Sequence, residues 1–154
     1  MEAKSTDRKT IQLTENRQHL GELTYKSLLS HKAEIKLKNS ELITIEPVGL
    51  FNSSISITKN GAELAKLTMD WRGQILLTFQ DGQEFLFKAA GTFRNKFILE
   101  TKAGEKLIQF DPKFSWSTFN YSFTISCNKE PQTILLILLG VYAANYFIAT
   151  TSMS

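Results

Sequence analysis

The stretch TILLILLGVYAANYFIAT, from Thr133 to Thr150, contains no Lys, Arg, Asp or Glu and is the most apolar part of the chain. From Ile134 to Ala149 a helix would be apolar on every side, interrupted only by Asn145 and two tyrosine hydroxyls. A helix of this kind has to be buried all round, in lipid or in protein. The location of this segment therefore decides the fold.

The length of this segment favours the interior of a protein. Residues 134–149 form roughly 24 Å of helix at about 1.5 Å per residue, whereas a bilayer core is about 30 Å thick and needs ~20 residues. A barrel with strands of about seven residues tilted near 40° has a wall roughly 18 Å high, which matches the helix better. We predict a core helix over 131–150, with Pro131 in the first turn, where its missing N–H does no harm. The alternative is a tail-anchored membrane protein whose residues 133–150 span the bilayer.

The rest of the chain alternates between apolar and polar residues, which is typical of strands with one buried and one exposed face. The clearest run has Phe119, Tyr121, Phe123, Ile125 and Cys127 on one face. Turn signals such as Asn60-Gly61 and Asp81-Gly82 separate these segments. Further strands are predicted within 33–38, 41–46, 54–58, 63–70, 74–80, 83–88, 96–101 and 106–110.

These segments predict a mainly β fold: a closed antiparallel barrel of about twelve strands around a central hydrophobic C-terminal α-helix. An eight-stranded barrel is filled by its own side chains, so a lumen for a helix about 10–12 Å across needs more strands. Residues 19–154 would form this single domain with its core helix. Residues 1–18 are polar and would be either a separate N-terminal segment or the first strand.

Composition limits the classes of function. The chain has 154 residues, enough for one domain, and a formal charge of +3. Its Lys and Arg residues are spread from Lys4 to Lys129 rather than clustered, which argues against nucleic-acid binding. Cys127 is the single cysteine, expected to be an inert buried thiol, and the start has no signal-peptide pattern. We expect a cytoplasmic protein.

Motifs for catalysis or cofactor binding are missing from the sequence. It contains neither a glycine-rich phosphate loop nor a G-x-S-x-G elbow. His19 and His31 are the only histidines, too few for a metal site, and are expected to be solvated. We therefore predict no enzyme, no metal and no cofactor, although an enzyme site in the barrel mouth remains a third hypothesis.

A group of aromatic residues precedes the last strand and has two interpretations. These residues would pack the barrel wall against the helix, which alternation favours, or form a platform for bases or acyl chains. The group consists of Phe110, Phe114, Trp116, Phe119 and Tyr121. Trp71, next to Arg72 at a glycine turn, is the better candidate for an exposed aromatic residue with a basic neighbour.

The stretch GTFRNKFILETKAGEKLIQFDPKFSWSTFNYSFTI, from Gly91 to Ile125, followed by the apolar helix, resembles a known pattern. It has paired hairpins, with Phe and Trp just before the last long strand. This order resembles the tubby C-terminal-like superfamily, which includes tubby proteins, phospholipid scramblases and LURP-one-related proteins. The resemblance covers roughly residues 22–150 and implies a barrel around a C-terminal helix.

The resemblance implies a non-enzymatic module that binds a phospholipid or phosphoinositide headgroup at a membrane surface, or a partner protein. Basic side chains on the barrel surface would bind the headgroup, and Arg72, Arg94 and Lys96, with Trp71, are the candidates. The calcium dependence described for scramblases is not implied here. The chain lacks a D-x-D-x-D-G loop, because its aspartates are isolated from one another.

Overall fold

A computed structural model describes residues 1–27, 30–49, 54–70, 72–91, 95–128 and 130–151. The described residues contain twelve strands and one helix. The strands are β1 (Glu2–Ser5), β2 (Thr10–Glu15), β3 (Gln18–Tyr25), β4 (Ala33–Leu37), β5 (Leu42–Val48), β6 (Ser54–Lys59), β7 (Ala62–Met69), β8 (Ile75–Phe79), β9 (Glu84–Ala90), β10 (Lys96–Thr101), β11 (Lys106–Ser115) and β12 (Asn120–Cys127). The helix is α1 (Ile134–Thr151).

The strands form a closed antiparallel barrel, which confirms the predicted fold class. Each strand pairs with its neighbours in sequence, and β1 pairs with both β2 and β12 to close the ring. Alternation along each strand directs one set of side chains into the lumen, as Ile11 and Leu13 of β2 and Phe123 and Ile125 of β12 illustrate. Closure leaves no sheet edge exposed.

The helix α1 lies inside this ring and forms the centre of the core. Ten of its eighteen residues are buried: every residue from Leu136 to Ala144, and Phe147. Strand residues from around the barrel belong to the same apolar cluster. By length and composition α1 could also cross a bilayer. In the structure, the strands provide the apolar surroundings that such a helix requires.

The start of α1 differs from the predicted one. The helix begins at Ile134, and Thr133 is its N-cap, with Oγ1 accepting a hydrogen bond from the amide of Leu136 at 3.2 Å. Pro131 lies before the helix rather than in its first turn. A threonine side chain that binds an unpaired amide of the first turn is a stronger start signal than a proline upstream of it.

The first eighteen residues are part of the barrel, not a separate segment. They contain β1, β2 and the beginning of β3, and Ala3, Ile11 and Leu13 are fully buried. β1 has only four residues, so its alternation is too short to detect by sequence pattern. It is nevertheless the strand that closes the ring, because it pairs with β12.

The fit between α1 and the wall is tightest at Gly140. A Cβ atom added there would lie 2.9 Å from Cε1 and Cε2 of Phe110 and still closer to Cζ. Phe110 is fully buried, so its ring has little room to move. Glycine at this position lets the helix approach the aromatic ring of β11.

We expect Gly140→Ala to destabilise the barrel. Alanine favours a helix over glycine by about 1 kcal/mol, but overpacking a dense core costs about 1–3 kcal/mol. The net free energy of unfolding, measured by urea denaturation, should therefore fall. In a Phe110→Leu background the same change should be neutral or stabilising. Equal losses in both backgrounds would contradict the proposed contact.

Because each strand runs antiparallel to the next, successive connections lie at opposite ends of the barrel. We call the end that carries the β1–β2, β3–β4, β5–β6, β7–β8, β9–β10 and β11–β12 connections the helix-exit end. The chain leaves β12 at the opposite end, and α1 then runs through the lumen. Near its start, Ile134 lies against Gly21 of β3. Near its end, Phe147 contacts Phe97 at the beginning of β10, 5.4 Å between ring centroids.

Candidate functional site

The two ends of the barrel differ in charge. By sequence, the six connections at the helix-exit end contain six basic and two acidic residues, whereas those at the opposite end, including residues 128–133, contain four of each. The basic residues at the helix-exit end are Arg8, Lys9, Lys26, Lys32, Arg72 and Arg94, and the acidic ones are Asp7 and Asp70. The excess positive charge of the molecule is therefore concentrated at one end, which scanning the sequence for basic runs does not reveal.

The same six connections are also the apolar ones. By sequence they contain eight large apolar residues, and the connections at the opposite end, including 128–133, contain no Leu, Ile, Val, Met, Phe, Tyr or Trp. The eight are Leu28, Leu29, Leu50, Phe51, Trp71, Phe93, Trp116 and Phe119. Only Trp116 and Phe119 are among the described residues, and they are 79% and 60% exposed.

These two aromatic residues lie at the tip of the β11–β12 hairpin. The Phe114 ring packs edge-to-face against both, and its centroid lies 4.9 Å from the Trp116 ring centroid and 5.6 Å from the Phe119 ring centroid. Phe119 has φ 55°, which is uncommon for a bulky residue. The guanidinium of Arg8 lies 5.6 Å from the Phe119 ring centroid, within the range of a cation–π contact.

A cluster of hydroxyl groups holds this hairpin against β1. Ser5 Oγ is 2.6 Å from Thr118 Oγ1 and 3.2 Å from Ser122 Oγ, and the Ser5 amide donates to Ser122 Oγ at 2.9 Å. Ser5 is buried, so these bonds are shielded from water. The exposed aromatic tip is thus held on a fixed base.

Two adjoining clefts open beside this hairpin. The mouth cleft, of about 420 Å³, lies between the hairpin, the end of β3 and the last turns of α1. The basic cleft, of about 440 Å³, is lined by Asp7, Arg8, Lys9, Lys26 and Ser27. Arg8 and Ser27 line both clefts, so the two lie side by side.

A group of polar side chains on α1, β3 and the β3–β4 connection lies at the mouth cleft, where Tyr25, His31 and Asn145 belong to the lining. Tyr142 Oη donates to the His31 carbonyl at 2.7 Å, and the Tyr146 ring lies 4.8 Å from the His31 ring. The Tyr25 hydroxyl and Asn145 Nδ2 are buried and make no hydrogen bond within the described part of the chain. Leaving two buried polar groups unpaired is costly, about 1–3 kcal/mol each.

Ionisation of these groups follows from their burial. Desolvation raises the pKa of Tyr25, an effect that the adjacent Asn145 amide opposes without reaching hydrogen-bond geometry. Desolvation also raises the pKa of Tyr142, with Tyr25 and Tyr146 adding to it. Both phenols are therefore hydrogen-bond donors at neutral pH. Partial burial lowers the pKa of His31, so its ring is neutral at pH 7.

The basic cleft keeps its positive charge although it contains a carboxylate. Asp7 Oδ1 accepts hydrogen bonds from the amides of Lys9 and Thr10, at 2.7 and 2.8 Å, and the bond from Lys9 is the main reason that its pKa is lowered. Lys26 forms an ion pair with Glu34 of β4. Neither Arg8 nor Lys9 forms a salt bridge within the described residues.

Of the predicted binding residues, Arg72 and Lys96 are described, and neither lines the two clefts. Arg72 is exposed in the β7–β8 connection, where its amide donates to Asp70 at 2.8 Å. Lys96 is the first residue of β10. The strand order places the β7–β8 connection across the barrel from Arg8. Trp71 and Arg94 lie outside the described residues.

Three expectations about single residues need correction. Among the aromatic group, Phe110 does pack against the helix, but Trp116 and Phe119 are exposed, because they follow the end of β11 rather than continue its alternation. His31 is half-buried against Tyr146 instead of solvated. Cys127 is only partly buried.

Among the described residues no three His, Cys, Asp or Glu side chains are grouped as metal ligands would be. No protein-family model, curated protein or solved structure matches the chain. The tubby-like resemblance thus remains a prediction.

Proposed function

We propose that the chain is a non-enzymatic module that binds peripherally to membranes and docks its helix-exit end on an anionic phospholipid surface. The observation that carries this proposal is the coincidence of two asymmetries. Six basic and eight large apolar residues lie, by sequence, in the connections of one end of the barrel, opposite an end that is neutral and polar. Cytoplasmic location at the surface of a membrane is part of the proposal.

The two kinds of residue have complementary roles at a bilayer. Tryptophan and phenylalanine partition into the interfacial region, and Trp116 and Phe119 project from a hairpin that is anchored by buried hydroxyl groups. Lys and Arg near an anionic leaflet contribute about 1 kcal/mol each. Arg8, next to Phe119, would lie at the level of the phosphates when the aromatic tip is inserted.

An acidic protein is a less suitable partner for this surface. Basic residues at one end would serve either partner, but large apolar residues in several connections of that end, by sequence, suit a soft apolar layer, which accepts them without matching pockets. Two of them, Trp116 and Phe119, are exposed in the described residues. The resemblance to the tubby-like superfamily also implies binding to phospholipid headgroups. Both arguments favour the membrane.

Vesicle flotation tests the proposal. The protein should float with phosphatidylcholine vesicles that contain phosphatidylserine and not with phosphatidylcholine alone, and binding should weaken as salt is raised. Arg8→Gln combined with Lys9→Gln should reduce the affinity roughly tenfold or more, since each cation contributes about 1 kcal/mol. Trp116→Ser combined with Phe119→Ser should reduce it at least as much.

The matched control is Arg17→Gln combined with Lys38→Gln, two basic residues of the connections at the opposite end. This double variant loses the same net charge and should bind as the unchanged protein does. Equal losses for both charge pairs would show a nonspecific effect of net charge. Absence of flotation at low salt would contradict the proposal and leave the helix-exit end as a surface for an acidic protein.

A further inference from the structure

We infer that the mouth cleft and the basic cleft together bind one anionic amphiphile, with its phosphate in the basic cleft and its acyl ester and chain in the mouth cleft. This inference rests on the proposed function, since docking brings both clefts to the lipid surface. It names the molecule that the surface selects: a glycerophospholipid with an exposed phosphate.

The basic cleft has the chemistry of a phosphate site. Arg8 and Lys9 provide positive charge without a salt bridge in the described residues, and Ser27 adds a hydroxyl group. The one carboxylate of its lining, Asp7, accepts bonds from backbone amides. Guanidinium and ammonium groups form strong charge-assisted hydrogen bonds with phosphate oxygens.

The mouth cleft has the chemistry of an acyl site. Its walls include Phe119, Tyr121 and Ile148, and its volume of about 420 Å³ falls within the range of about 300–1,000 Å³ typical of small-molecule sites. An inorganic anion would gain no binding free energy from these apolar walls. A short hydrocarbon segment would cover the walls and so bury their apolar surface away from water.

Two buried donors of the mouth cleft have no acceptor in the part of the chain that the structure describes. The Tyr25 hydroxyl is held in its protonated form by burial, and Asn145 Nδ2 can only donate. Both residues line the cleft. An ester carbonyl is the acceptor that a glycerophospholipid carries between its phosphate and its acyl chain. Because both donor atoms are closed off from solvent, each side chain has to turn toward the cleft for one ligand to fill the basic cleft and satisfy these donors.

Arg8 connects the two halves. Its guanidinium lies over the Phe119 ring in one wall of the mouth cleft, and the same residue lines the basic cleft. A ligand that bridges the clefts must therefore pass this side chain. Its phosphate would bind where the aromatic wall ends.

The test uses the full chain and monomeric lipid in the absence of vesicles. Dihexanoyl phosphatidic acid, kept below its aggregation concentration, should bind saturably in isothermal titration calorimetry. Inorganic phosphate, which has the head alone, and dihexanoyl phosphatidylcholine, which has the same chains on a zwitterionic head, should each bind at least tenfold more weakly. Chemical-shift changes should centre on Tyr25, Arg8 and Asn145.

Three variants separate ligand binding from structural effects. Arg8→Gln should weaken binding of dihexanoyl phosphatidic acid at least tenfold, and Arg17→Gln, at the opposite end, should leave it unchanged. Tyr25→Phe removes a hydroxyl that makes no hydrogen bond among the described residues, so the variant should fold with an equal or higher melting temperature and yet bind several-fold more weakly. A higher melting temperature with unchanged binding would overturn the role of Tyr25.

Two results would overturn the inference as a whole. Inorganic phosphate that binds as tightly as dihexanoyl phosphatidic acid would show a plain anion site. Vesicle binding without any binding of the monomeric lipid would leave membrane docking in place and exclude the cleft. Binding of monomeric lipid without vesicle binding would instead contradict the docking proposal alone.

Discussion

A chain that ends after Glu130 is expected to accumulate as insoluble, unfolded protein. Deletion of residues 131–154 removes α1, which occupies the centre of the barrel and has ten buried residues. The inward side chains of the strands would then line an empty lumen, far larger than any cavity that a protein tolerates. Among them are Leu23, Ile35 and Phe87, each fully buried in the intact chain.

The measurement is the soluble fraction after expression, followed by circular dichroism and gel filtration of any soluble product. The truncated chain should have at most a small fraction of the strand content of the full chain. A soluble truncated domain with full strand content and dispersed amide resonances would contradict this result. It would support instead the tail-anchored alternative, in which α1 spans a bilayer and the strands fold without it.

The second large effect is expected from Leu138→Asp. Leu138 is 0% exposed in the middle of α1. The change removes an apolar side chain, which costs about 2–5 kcal/mol, and buries a carboxylate without a partner, which adds several kcal/mol unless it is protonated. The total is comparable to the whole stability of a domain, about 5–15 kcal/mol. The variant should be unfolded at pH 7 and 37 °C.

Two further variants identify the cause. Leu138→Asn has nearly the same shape without the charge, so it should be less destabilising than Leu138→Asp at pH 7. Burial raises the pKa of the introduced carboxyl above its unfolded value near 4, so the penalty should grow as pH rises above about 4. Thr150→Asp places the same charge at an exposed position of α1 and should cost at most about 1 kcal/mol. Similar stability of Leu138→Asp and Thr150→Asp would contradict a buried α1.

The elements that the sequence predicts well are those with long patterns. Alternation over five or more residues indicated most strands from β4 to β12, and the apolar run indicated α1. The three strands before Ala33 were not predicted individually: β1 offers only Ala3 and Ser5 as inward residues, whereas β2 and β3 were missed although they have six and eight residues. The start of α1 was misplaced because Pro131 is a more conspicuous signal in sequence than the capping hydroxyl of Thr133.

The candidate site was harder to predict, because its residues come from distant parts of the chain. Arg8, Tyr25 and Asn145 lie in β1–β2, at the end of β3 and in α1, and no local motif joins them. The usable signal was whether a connection between strands is odd-numbered or even-numbered along the chain. In a closed meander every second connection lies at the same end, so grouping alternate connections reveals the charge and apolar asymmetry once the strand bounds are known. The clefts, in contrast, depend on side-chain packing.

The most direct test of the central claim is the position of α1 in aqueous solution. Nuclear Overhauser effects between the α-protons of Gly140 and the ring protons of Phe110 should be strong in detergent-free buffer, since the two residues are in contact across the helix–wall interface. Phe97 and Phe147 should give a second set at the helix-exit end. Absence of both sets, together with contacts from α1 to detergent or acyl protons when these are supplied, would contradict a barrel built around its own helix.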